Sequence, residues 1–230
     1  MHPPRWRFQE ELQALEAKVQ RLGAEARRQL ARAVAALAGP ADYDAIIARD
    51  DEVDRRYVEV ERSVLHLFAL QTPVASDLRL LTALLHVGLH LERIADMAVN
   101  IAKIARLVAG LPPDAAIQRQ LERMGIVAME MVQTAMDAFA RRDLQLARSL
   151  PSMDEPIDRL NRGMLAAVLA VGEDRRMLEW AVPMYVVSRE LERIGDHAVD
   201  IGEQVAFLVT GEFQEFTDPT HRNAERPEPA

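Results

Sequence analysis

The sequence contains no cysteine. Disulfides, thiolate metal sites and thiol chemistry are therefore excluded, and a stapled secreted fold with them. Aromatic residues make up only 5% of the chain and glycine is sparse, while Ala, Leu, Val and Arg are plentiful, a balance that favours helix over sheet. No stretch approaches the roughly 18 uninterrupted apolar residues needed to span a bilayer. The N-terminus, Met1-His2-Pro3-Pro4-Arg5, leads straight into an amphipathic segment without a signal-peptide core. A soluble, cytoplasmic protein is expected. Positive charge is also short. The formal net charge is -8, and no basic run extends beyond doublets such as Arg27-Arg28 and Arg141-Arg142. Nucleic acid, whose phosphates need a basic patch, is not an expected partner. What is present is 49% hydrophobic residues in 230, enough to bury one large core or two small ones.

Punctuation is sparse. Gly39-Pro40 ends the first segment, Thr72-Pro73 reads as an N-cap followed by a helix-starting proline, and Gly110-Leu111-Pro112-Pro113-Asp114 is the strongest break. Gly172-Glu173-Asp174 is a turn and Gly211 ends the last segment. Between breaks the apolar residues recur every three or four positions, as in Phe8, Leu12, Leu15, Val19, Leu22 and Ala26. The spacing predicts six long helices at 5–38, 41–71, 73–109, 114–141, 143–171 and 174–210. Short connections make neighbours antiparallel.

The chain repeats itself. Leu91-Glu92-Arg93-Ile94-Ala95-Asp96-Met97-Ala98-Val99-Asn100-Ile101 returns as residues 191–201, changed only at positions 195, 197 and 200. Asp51-Glu52-Val53-Asp54-Arg55 is echoed by Asp154-Glu155-Pro156-Ile157-Asp158-Arg159. The expected fold is all-α: two tandem antiparallel three-helix bundles related by internal duplication, over 1–111 and 112–211, followed by a disordered acidic tail at 212–230.

The repeated motifs place acids four residues apart, one helical turn, on a single stripe. In an antiparallel hairpin, residues equidistant from the turn lie at one height. Asp54 pairs in this way with Glu92, and Asp50 with Asp96. In the second copy Asp158 pairs with Glu192, and Asp154 with Asp196. Four like charges at one level repel, each close pair by on the order of 1 kcal/mol or more. Either a hard cation or neighbouring arginines must compensate. Arg93, Arg193, Arg55 and Arg159 are the arginines in reach, and recurrence of the quartet in both halves favours a metal ion. The candidate ligands are Asp50, Asp54, Glu92 and Asp96, with Asn100 one turn on, and Asp154, Asp158, Glu192, Asp196 and Asp200. Pro156, between Asp154 and Asp158, is expected to make the second site the less regular, and Pro183 raises the same concern for Glu192.

Other polar features read as weaker. On a helical wheel Glu92 and Asp96 flank the apolar stripe of Leu85 and Leu89. Arg79, His86 and Arg93 fall on the outer polar face, so His86 and His90 are expected at the surface. His197 stands where the first copy has Met97. Met124, Met129, Met131 and Met136 are expected as core filler. Nor does any Glu-x-x-His motif of ferritin-like di-metal oxidases occur.

The run 191–201 resembles the signature of the PhoU family. Gln71-Thr72-Pro73-Val74-Ala75-Ser76-Asp77-Leu78-Arg79 and Phe207-Leu208-Val209-Thr210-Gly211-Glu212 resemble its other markers. Ala95, where the family usually has glycine, and the prolines near 151–156 depart from the pattern. The resemblance implies a non-enzymatic regulator that links the phosphate ABC transporter, through its nucleotide-binding subunit, to a sensor histidine kinase. It also implies Fe, Mn, Mg or Zn held by the acidic motifs named above, and a homodimer. A similar accessory protein of another ion transporter remains the alternative.

Overall fold

The computed structural model describes residues 5–70, 73 and 75–216. Helices α1 (Arg5–Leu37), α2 (Tyr43–Ile47), α3 (Asp50–Leu70), α4 (Ser76–Leu107), α5 (Ala115–Arg141), α6 (Leu144–Arg148), α7 (Leu150–Ala170) and α8 (Arg175–Thr210) follow in order. There is no strand among the described residues. Helices α1, α3 and α4 pack together as one three-helix bundle and α5, α7 and α8 as a second, as the duplication requires. The bundles lie side by side, with α4 against α8 and α1 against α5. One continuous apolar core runs through both, from Phe8 and Leu12 to Ile201 and Val205.

Local chemistry sets the helix ends. Asp114 accepts from Ala116 N and Ile117 N, each at 2.9 Å, and Asp174 accepts from Arg176 N and Met177 N at 3.0 and 3.1 Å. Both satisfy orphan donors at a helix start. Gly211, at φ 80°, closes α8 with its N–H on the Phe207 carbonyl at 2.8 Å, a left-handed cap that glycine adopts without strain.

Three expectations need correction. The segments 41–71 and 143–171 are each two helices, a short one and a long one. Restarting at Asp50 places Asp50, Asp51 and Glu52 in the first turn of α3, at the positive end of the helix dipole. Restarting at Leu150 places Pro151 in the first turn of α7, where its missing N–H costs nothing. Helix α4 starts at Ser76, after Ala75 at φ 47°, rather than at Pro73; Thr72 lies outside the described residues. Residues Phe213 and Phe216, expected in the tail, pack back on α8. Phe213 stacks on Phe207 with ring centroids 4.1 Å apart, and Phe216 N donates to Glu203 Oε1 at 2.7 Å. Residues 217–230 lie outside the described residues.

Candidate metal centre

The α3–α4 hairpin buries Val53, Val60, Val64 and Leu67 against Leu84, Val87, Leu91 and Ile94. That packing fixes the rotation of both helices and turns their acids toward the shared edge. Asp50, Asp54 and Asp96 each offer a carboxylate oxygen, all within 4.8 Å of one another, while Glu92, the expected partner of Asp54, lies outside that group. Burial, then the charges of Asp54 and Asp96, push the Asp50 carboxyl above the usual carboxylate range. Glu92 is raised by burial and then by Asp96, and Asp96 by burial and then by Asp54. The four acids therefore act on one another. Arg93 answers part of this charge, 3.5 Å from Glu92 and 3.6 Å from Asp96, while Arg55 turns away to Glu52. Asp50 Oδ1 is buried without a hydrogen-bond partner, whereas Glu92 Oε2 faces the Arg93 guanidinium. An oxygen like that of Asp50 is costly unless a cation or donor meets it, so the set fits a hard metal ion. Asn100 is half-buried one turn beyond Asp96.

In the second repeat Asp154, Asp158, Asp196 and Asp200 line one pocket of about 340 Å³. Pro156 sits inside α7 and Pro183 inside α8, yet both helices continue past them. Gly195 lets α7 come close: a Cβ there would lie 2.2 Å from Asp154 Oδ1. Asp196 is exposed overall, with its carboxyl partly screened where it lines the pocket. Burial, then Glu192, Asp158 and Asp200, raise its carboxyl to about 6. The arginines at this site are not the expected ones. Arg189 reaches Glu192 at 3.2 Å and Arg162 reaches Asp158 at 3.7 Å, whereas Arg159 and Arg193 pair with Glu155 and Glu190. Glu203 and Phe216 join the pocket wall and were not anticipated. Glu203 was legible in principle, since it continues the stripe of Asp196 and Asp200 along α8.

His86 and His90 are half-buried rather than on a solvated outer face. They face α8 across the seam between the bundles: His86 Nδ1 lies 3.1 Å from Gln204 Oε1, and His90 Nδ1 lies 3.1 Å from His197 Nδ1. Burial holds His90 below the usual imidazole range. A single helical wheel shows which face packs within a bundle. It does not show that the opposite face of α4 packs against another helix.

A family model described as the PhoU domain matches the chain twice, at residues 19–105 and 121–205. The chain belongs to the PhoU family. The two matched segments contain the two acidic sets. The chain is 37% identical over 209 residues to the phosphate-specific transport system accessory protein PhoU homolog of Caulobacter vibrioides, covering 89% of this chain and 90% of that one. It is 32% identical over 213 residues to the homolog of Pseudomonas aeruginosa, covering 89% and 86%. The crystal structure of PhoU from Pseudomonas aeruginosa matches the fold with a TM-score of 0.82 at 31% identity, over 89% of this chain and 100% of that one. The regulatory protein PhoU from Streptococcus pneumoniae matches with a TM-score of 0.81 at 26% identity, over 90% and 99%.

Proposed function

We propose that this chain regulates phosphate uptake and the phosphate-starvation response as a metal-binding adaptor that works by docking rather than by catalysis. Kinship along nearly the whole chain to proteins named as phosphate-specific transport system accessory proteins carries this reading. Its partners are the nucleotide-binding subunit of a phosphate ABC transporter and a sensor histidine kinase, which it meets as a cytoplasmic homodimer. No helix among the described residues is long and apolar enough to cross a membrane, consistent with contact through protein partners. The two bundles, 1–111 and 112–211, each offer a broad rigid face, and the net charge of -8 disfavours nucleic acid.

Asp50, Asp54, Glu92 and Asp96 would hold one cation, with Asn100 near it, and Asp154, Asp158, Glu192, Asp196 and Asp200 the other. The all-oxygen donor sets suit Mg, Mn or Fe, with Zn also admissible. A bound cation would neutralise the mutual repulsion of the acids and pin each hairpin at that level. Deletion in the native host should leave phosphatase expression high in phosphate-rich medium, and the intact gene should restore repression. Normal repression in the deletion strain, with neither partner co-purifying, would replace this reading with an accessory role for another ion transporter.

A further inference from the structure

The seam between the bundles carries a second and chemically different donor set. His90 comes from α4 in the first repeat, His197 and Asp200 from α8 in the second. Their donor atoms, His90 Nδ1, His197 Nδ1 and Asp200 Oδ2, all lie within 4.8 Å of one another. The three edges of the triangle are 3.1 Å between the imidazole nitrogens, 3.3 Å from His197 to Asp200 and 3.4 Å from His90 to Asp200. First-row transition metals bind imidazole nitrogen and carboxylate oxygen at about 2.0–2.2 Å. Three donors about 2.1 Å from one ion and roughly 3.3 Å apart subtend angles near 100° at it, between octahedral and tetrahedral values. The separations are those of one face of a coordination polyhedron.

Hydrogen bonding alone serves this triangle less well. Two facing Nδ1 atoms can share one proton at most, and an ionised carboxylate only accepts. A cation satisfies both nitrogen lone pairs and the oxygen together, with each ring carrying its proton on Nε2. The rings are shielded, at 18% and 21% side-chain exposure, while Asp200 is 41% exposed. That leaves an approach for an ion and open positions for water. The set also breaks the repeat symmetry. The repeat-related positions hold Glu190, Met97 and Asn100, with no imidazole among them.

We propose that His90, His197 and Asp200 form a transition-metal site of two imidazoles and one carboxylate, joining α4 to α8 across the seam between the repeats. The proposal goes beyond the carboxylate clusters, because it concerns a site shared by the two repeats and a softer class of ion. Asp200, which the sequence assigned to the second acidic set, borders that pocket and also completes the triad.

The test uses the full chain, stripped with chelator and loaded with one equivalent of Zn²⁺. X-ray absorption should show two imidazole ligands in the wild type. His197→Met, which installs the residue found in the first repeat, should lose one equivalent of tightly bound Zn²⁺ and the imidazole signal. Glu173→Gln, in the α7–α8 turn and outside every donor set, should keep both. Absence of imidazole scattering in the wild type overturns the proposal, and so does unchanged Zn²⁺ stoichiometry and scattering in His197→Met. If His197→Met fails to fold, the wild-type spectrum decides alone.

Discussion

Gly195→Ala puts the packing of the second acidic site to a numerical test. The position lies inside α8, where the first repeat carries Ala95. In an exposed helix interior, glycine to alanine stabilises by about 1 kcal/mol, because the unfolded chain loses freedom. Here the new Cβ would sit 2.2 Å from Asp154 Oδ1, with Ile157 Cδ1 at an ordinary 3.6 Å. The carboxylate has to withdraw by roughly 1 Å to reach normal contact, and overpacking of this kind costs about 1–3 kcal/mol. The two effects oppose one another. The substitution should therefore be neutral or destabilising by up to about 2 kcal/mol in the wild-type background. In an Asp154→Ala background the clash partner is gone, so the same change should stabilise by about 1 kcal/mol. Urea denaturation of the four proteins, all stripped of metal, completes the cycle. Stabilisation by the full helix-propensity gain in the wild-type background would mean that Asp154 is not pressed against α8, and the picture of this pocket would be wrong. Displacement of Asp154 should also weaken cation binding in the second repeat and leave the first unchanged.

Further outcomes follow from the same geometry. The Asp196 carboxyl, raised to about 6, binds its proton more tightly folded than unfolded. It therefore lowers stability as pH rises from about 4 to about 6. A shift of that size corresponds to about 3 kcal/mol in a sealed interior, and solvent at the open pocket reduces it to roughly 1 kcal/mol. In chelator, Asp196→Asn should flatten that slope in denaturation measured at pH 4, 5, 6 and 7, and an unchanged slope would contradict the assignment. At the α1–α5 crossing a Cβ on Gly125 would lie 2.6 Å from Val34 Cγ1, while one on Gly23 would meet the flexible Met136 end at 2.7 Å. Gly125→Ala should therefore lower stability by about 1–3 kcal/mol, because a β-branched side chain cannot swing aside. Gly23→Ala should be tolerated, and thermal melts of the two variants decide.

Much of the fold is legible in the sequence because duplication doubles every signal. The apolar stripe of α1 expected at Phe8, Leu12, Leu15, Val19, Leu22 and Ala26 is buried throughout. The caps Asp114 and Asp174 stand where the turn residues announced them. Hairpin geometry alone pairs Asp50 with Asp96, and the structure brings these two together, with Asp54 rather than Glu92 completing the group. The breaks after Ile47 and Arg148 were missed because apolar periodicity runs across them. No glycine stands at Ala48-Arg49, and Pro151, which marks the first turn of α7, is preceded by no glycine either. The seam histidines were missed for a different reason. Helix α4 is buried at Leu81, Ala83, Leu84, Val87, Gly88 and Leu91, positions spread over more than one face. That breadth signals a helix with neighbours on two sides. A reading centred on one apolar stripe assigns the second side to solvent.

Metal analysis of protein purified without chelator, beside the Asp96→Asn/Asp196→Asn double variant, tests the central claim most directly. The carboxylate clusters should carry metal in the wild type, and the double variant should lose most of it while its helical circular dichroism stays unchanged. Equal metal content in the two proteins would contradict the claim, and would leave Arg93, Arg162 and Arg189 as the groups that balance the acids.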